Sequence, residues 1–165
     1  MTKGRMFVYG IVFALIGAAC GGAAAKSTGS GAASTVSIRT VPGVGRIYTN
    51  AQGMSLYSPV QEANGKILCT GACTSIWVPL AAPASGALTK GSGVSGTLSV
   101  ITRPGGIKQV ALDGAPLYTF SQDMAPGSIN GNGVADSFGG QGFTWHVQSG
   151  GAVVNQSPSS SGYGY

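Results

Sequence analysis

Acidic side chains are nearly missing from this sequence of 165 residues: Glu62, Asp113, Asp123 and Asp136 are the full set. Hydrolases need paired carboxylates, or a nucleophile with a base beside it. Asp113 is committed to an Asp-Gly turn signal with Gly114, and no G-x-S-x-G elbow is present to activate a serine. Histidine occurs once, at His146, and cysteine three times. Cys69, Cys73 and His146 fall one ligand short of a four-coordinate structural zinc site. No C-x-x-C-H run accompanies His146, so a haem reading has no support. No catalytic residue, metal ligand or cofactor is assigned. Beyond Cys20 the basic residues are Lys26, Arg39, Arg46, Lys66, Lys90, Arg103 and Lys108. They are scattered rather than gathered on one face, which argues against nucleic acid as a partner. The low charge, 8% of residues, also separates the chain from disordered sequences, which are charge-rich and poor in apolar residues. What it has in quantity is glycine, 29 residues, which suits many turns and short strands better than long helices.

The first residues read as an export signal. Lys3 and Arg5 precede the apolar run Met6 to Ile16, and the small residues Gly17-Ala18-Ala19 lead to Cys20. Positive, then apolar, then small is the secretory order. The segment resembles a lipoprotein signal, in which cleavage occurs before a diacylated cysteine, although Gly17 stands where such signals prefer leucine. Two other readings stay open. Ala23-Ala24-Ala25 offers an A-x-A site for ordinary cleavage and a soluble secreted product. Alternatively Met6 to Ala25 stays as an uncleaved anchor, a weak one, since its second half is only glycine and alanine apart from the cysteine. With Cys20 lipidated, the membrane is the expected partner and the cell envelope, outside the cytoplasm, the expected location.

The expected organisation is a signal peptide over 1–19, a lipid-anchor site and Gly/Ala/Ser linker over 20–35, a β domain over 36–154, and a disordered tail over 155–165. Inside the domain Gly45 to Thr49 and Met54 to Tyr57 flank the turn Asn50-Ala51-Gln52-Gly53. Leu98 to Thr102 and Ile107 to Leu112 flank Arg103-Pro104-Gly105-Gly106. Asp113-Gly114 joins the latter strand to Pro116–Phe120, and Phe143 to Val147 is a last alternating strand. One helical turn is expected between Ala72 and Trp77.

The chain repeats itself. Gly53-Met54-Ser55-Leu56-Tyr57-Ser58-Pro59-Val60-Gln61-Glu62 aligns, 61 positions on, with Gly114-Ala115-Pro116-Leu117-Tyr118-Thr119-Phe120-Ser121-Gln122-Asp123. Gly, Leu, Tyr, Gln and the final acid stay in register, which implies a duplicated strand–turn–strand unit with halves over about 45–80 and 98–147. The second copy carries Tyr118-x-Phe120-x-x-Asp123. That motif, with Cys69-x-Gly71-x-Cys73, Trp77-x-Pro79, Pro126-Gly127 and Trp145-x-Val147, resembles a family of predicted bacterial lipoproteins, secreted repeats of unknown function with a Y-x-(F/W/Y)-x-x-D signature. The resemblance covers roughly Gly45 to Val147. Pro59 and Glu62 depart from the signature in the first copy, and the longer Glu62 side chain is expected to cap its loop less well than an Asp would.

The fold class expected is mainly β, with a short helical turn after the cysteines. Tyr118 and Phe120 share a strand face, so with Asp123 they form either a shelf for a flat ligand or core packing in which Asp123 caps the loop Met124 to Gly127. Tyr57, Glu62, Trp77 and Trp145 join them as motif residues with a binding option. In an oxidising compartment Cys69 and Cys73 are expected to form a disulfide, with a redox pair as the other option. The function expected is a non-catalytic structural or ligand-binding role in an envelope lipoprotein, its ligand unassigned. A redox or cofactor-handling lipoprotein is the second reading and an envelope hydrolase the third.

Overall fold

Left-handed corners punctuate the chain. Asp113 (φ 50°) and Gly114 (φ 84°) both have positive φ, as a type I′ hairpin turn requires. The computed structural model describes residues 33–151. The export segment with Cys20, most of the linker and the tail over 155–165 lie outside the described residues. The first half contains β1 (Ser37–Val41), β2 (Gly45–Thr49), β3 (Tyr57–Pro59), a 3-10 turn (Val60–Glu62), α1 (Cys73–Ile76) and β4 (Trp77–Pro79). The second contains β5 (Leu98–Thr102), β6 (Lys108–Leu112), β7 (Ala115–Pro116), β8 (Tyr118–Phe120), β9 (Ala135–Phe138) and β10 (Gln141–Val147). The fold is mainly β, and the one α-helix among the described residues is the short turn after the cysteines.

The hairpins read from the sequence are present, with two changes of extent. The Asn50 carboxamide accepts the Gln52 and Met54 N–H groups at 3.0 and 2.9 Å, which closes the expected turn. Beyond it the ladder is reduced to one bridge, Thr49 to Ser55, because Tyr57 leaves the hairpin to enter the central sheet. Likewise β7 stops at Pro116 and β8 starts in a different sheet. Three strands had no sequence signal: β1, whose side chains are all partly exposed, β4, three residues that follow α1 directly, and β9, which carries Asp136 and Ser137. All three lie at sheet edges, where apolar alternation is not required.

The five-stranded sheet runs β4-β8-β3-β10-β9, with the two repeat copies as neighbours. Tyr57 of β3 stands directly opposite Tyr118 of β8, antiparallel, so a pseudo-twofold passes between them. The flanking strands obey it: Trp77 of β4 faces Phe120, and Trp145 of β10 faces Pro59. Past the sheet, the end of β10 pairs back onto the first hairpin (Tyr48 N–H to Gln148 C=O, 2.8 Å; Gln148 N–H to Leu56 C=O, 2.7 Å). The end of β4 does the same on the second hairpin (Val110 N–H to Leu80 C=O and Leu80 N–H to Leu117 C=O, both 2.9 Å). Each half therefore supplies the last strand of the other. The symmetry includes β1, which matches β5 at the same offset, so the equivalence begins before Gly45.

Candidate functional site

Placing Tyr57 beside Tyr118 on an antiparallel ladder sends each phenol toward the loop that follows the other strand. The Tyr57 hydroxyl donates to Asp123 Oδ2 at 2.7 Å, and the Tyr118 hydroxyl donates to Glu62 Oε2 at 2.6 Å. The tyrosine and acid of the repeated motif are thus exchanged between copies, a pairing that spacing within one copy does not predict. The remaining carboxylate oxygens hold the following loops. Asp123 Oδ1 accepts the Asn130 N–H at 2.9 Å. Glu62 Oε1 accepts the N–H groups of Leu68 and Cys69, at 2.5 and 2.6 Å. Cys69 and Asn130 each lie seven residues beyond the acid.

Two details differ from the sequence expectation. Asp123 caps at Asn130 instead of the loop Met124 to Gly127, which closes through backbone bonds such as Gly127 N–H to Gly53 C=O at 3.0 Å. Glu62, fully buried, is not the weaker cap. Its longer side chain reaches two backbone N–H groups where Asp123 reaches one.

Burial dominates the titration of Tyr57, Tyr118 and Asp123. It pushes Tyr57 far above the usual phenol range, and the charge of Asp123 adds to the rise. Tyr118 is raised first by burial and then by Glu62, against an opposing effect from Arg103. Burial raises Asp123 as well, partly offset by the hydrogen bonds from Tyr57 and Asn130.

The tryptophans stand on the pseudo-axis. Trp77 and Trp145 stack at 3.9 Å with an interplanar angle of 8°, and Phe120 stacks on Trp77 at 4.3 Å. Tyr57 meets Trp77 edge-on at 5.5 Å, and Tyr118 meets Trp145 the same way at 5.2 Å. Both indole N–H groups donate to one carboxylate: Trp77 to Asp136 Oδ2 at 2.7 Å and Trp145 to Oδ1 at 2.9 Å. Tyr57, Trp77, Tyr118 and Trp145 have no exposed surface and Phe120 has 4%, so the ring faces are enclosed. Phe120→Ala is expected to lower stability by about 3 kcal/mol or more, the usual cost of emptying a packed aromatic site. Urea unfolding followed by tryptophan fluorescence measures it, and a loss under about 1 kcal/mol would contradict the packing role of the ring.

Cys69 and Cys73 form the disulfide, Cα atoms 5.3 Å apart, both sulfurs inside the same cluster. His146 is exposed on β10 opposite Ser58. Among the described residues no three His, Cys, Asp or Glu side chains gather as a metal site.

Arg103 and Gln109 belong to the network although the sequence assigns neither of them a role at the site. Arg103 is 5% exposed, and its Nη1 donates to Gln109 Oε1 at 2.6 Å and to the Tyr118 hydroxyl at 3.0 Å. Its Nη2 donates to the Cys69 carbonyl. Glu62 and Arg103 therefore meet at one phenol oxygen. In the sequence Arg103 opens an Arg-Pro-Gly-Gly turn, and only the fold shows that its side chain points inward. The sheet surface near the stack carries an open groove of about 450 Å³ lined by Gln61, Ser137, Gly142 and Thr144 among others.

Residues 99–147, from β5 to the end of β10, match the family model described as a secreted repeat of unknown function. No curated protein and no solved structure gives a significant match to the chain.

Proposed function

We propose that this chain is an extracytoplasmic module with a structural or ligand-binding role and no catalytic one, held at a membrane by a lipid on Cys20. One observation carries the non-catalytic reading: each of the four acids is engaged in holding the fold. Glu62 and Asp123 cap loops and bind tyrosines, Asp136 binds two indoles, and Asp113 accepts the Thr97 N–H at 2.7 Å. A carboxylate used this way is not free to activate water or a bound substrate. The match to a secreted repeat and the closed Cys69–Cys73 disulfide support a place outside the reducing cytoplasm. The open groove on β9 and β10, where Gln61, Ser137 and Thr144 stand beside Asp136 and Phe143, supports a ligand-binding version of the role.

The anchor is tested by fractionation. Cys20→Ser is expected to shift the chain from the membrane fraction to the soluble one, or to stall its processing. Unchanged membrane retention would mean that Met6 to Ala25 is an uncleaved anchor and that Cys20 carries no lipid.

A further inference from the structure

The enclosed cluster contains more chemistry than packing requires. Tyr57, Trp77, Trp145 and Tyr118 are the oxidisable rings, in unbroken contact, and the N–H or O–H of each is hydrogen-bonded to a carboxylate. Loss of an electron turns an indole N–H or a phenol O–H into a strong acid, so a carboxylate at hydrogen-bond distance stabilises the oxidised ring. Two nearly parallel indoles 3.9 Å apart share a positive charge better than one, and Asp136 places a negative charge at both N–H groups. Asp136 lies on β9, the edge strand of the five-stranded sheet, so the indole edges sit close behind the surface. An oxidant need not touch the rings.

The two ends of the cluster differ. The Tyr118 oxygen already accepts a hydrogen bond from Arg103 at 3.0 Å, and the guanidinium carbon lies 5.6 Å from the ring centroid. A buried cation there opposes the removal of an electron. The Tyr57 oxygen faces Asp123 at 2.7 Å and, more distantly, the Ser128 carbonyl at 3.5 Å. No Lys or Arg bonds it among the described residues. Burial raises the pKa of Asp123, which makes its carboxylate the readier proton acceptor.

We propose that the Trp77–Trp145 pair and Tyr57 form a relay that accepts one oxidising equivalent and holds it on Tyr57. A one-electron oxidant in solution, of the high-potential metal-complex or radical class, takes one electron from the stacked indoles. Tyr57 then passes an electron to Trp77 across the edge contact, and its phenolic proton moves along the hydrogen bond to Asp123 Oδ2. The products are a neutral Tyr57 radical, a protonated Asp123, a restored indole pair and the reduced oxidant, with no bond formed between heavy atoms. A one-electron reductant in solution reverses the step, and Asp123 returns the proton. This activity lies beyond the anchoring and binding role above and stands or falls without it.

The test is flash photolysis of the exported, disulfide-closed chain with a ruthenium polypyridyl complex and persulfate as the oxidising probe. The tryptophan radical band is expected to decay into the tyrosyl band. Tyr57→Phe should remove most of the tyrosyl yield, whereas Tyr118→Phe should keep it. Asp123→Asn keeps the ring and withdraws the proton acceptor, so conversion should slow on the order of tenfold or more, with near-UV circular dichroism confirming an intact core. That variant decides the matter if Tyr57→Phe fails to fold. An unchanged tyrosyl yield in Tyr57→Phe, an equal loss in Tyr118→Phe, or an unchanged rate in Asp123→Asn would overturn the assignment.

Discussion

Glu62→Ala is expected to destabilise the domain by about 4 kcal/mol or more, the largest loss from any single acid. The side chain is fully buried. Its removal leaves the Leu68 and Cys69 N–H groups and the Tyr118 hydroxyl without their acceptor, and buried unsatisfied groups cost about 1–3 kcal/mol each. It also strips the negative charge that shares the Tyr118 oxygen with the buried Arg103, and an uncompensated buried charge costs about 3–5 kcal/mol. These costs overlap, because water admitted to the cavity would satisfy some groups, so they do not simply add. Against a typical total of about 5–15 kcal/mol, the variant should be near its unfolding midpoint at modest urea. Asp123→Ala removes one backbone acceptor and one phenol acceptor, neither carboxylate nor phenol being hydrogen-bonded to a Lys or Arg among the described residues, and should cost less. Equal losses for the two would mean that Arg103 does not depend on Glu62.

The second large effect concerns the halves. A chain of residues 33–97 and a chain of residues 98–151 are each expected to lack cooperative unfolding, and an equimolar mixture of the two to regain it. Alone, the first fragment leaves β3 without both Tyr118 and β10, and leaves β4 without β8. The second loses the same set in mirror roles. Each fragment also keeps only one ring of the Trp77–Trp145 stack. At about 50–65 residues a chain with half a core has little margin. Tryptophan fluorescence and circular dichroism against urea would show the result. A cooperative transition in either fragment, measured as a monomer, would contradict the exchange of last strands as the source of stability.

The hairpins were legible because their signals are local. Asn50 to Gly53 and Asp113-Gly114 need particular backbone angles, and the residues that adopt those angles cheaply are visible in a sequence. The repeat was legible because duplication leaves a fixed offset. Cys69 and Cys73 were legible because redox compartment and spacing constrain them. Edge strands β1, β4 and β9 were not, since an edge requires no apolar alternation. Arg103 was not, since a basic residue before Pro-Gly-Gly reads as a solvated turn until Tyr118, Gln109 and the Cys69 carbonyl are seen around it. Asp136 read as an uncommitted acid until the two indole N–H groups were seen on it.

By itself the sequence determined the β class, the turns, the duplicated unit and the cysteine pair, because each depends on residue type at short range or on a repeated spacing. Tertiary structure alone decided that Tyr57 answers to Asp123 and Tyr118 to Glu62. It also decided that Trp77 and Trp145 stack on the pseudo-axis and that each half ends in a strand the other requires. The physical reason is the antiparallel pairing of β3 with β8. It points the acid that follows one copy's tyrosine toward the tyrosine of the other copy, and no pattern within a single copy contains that direction.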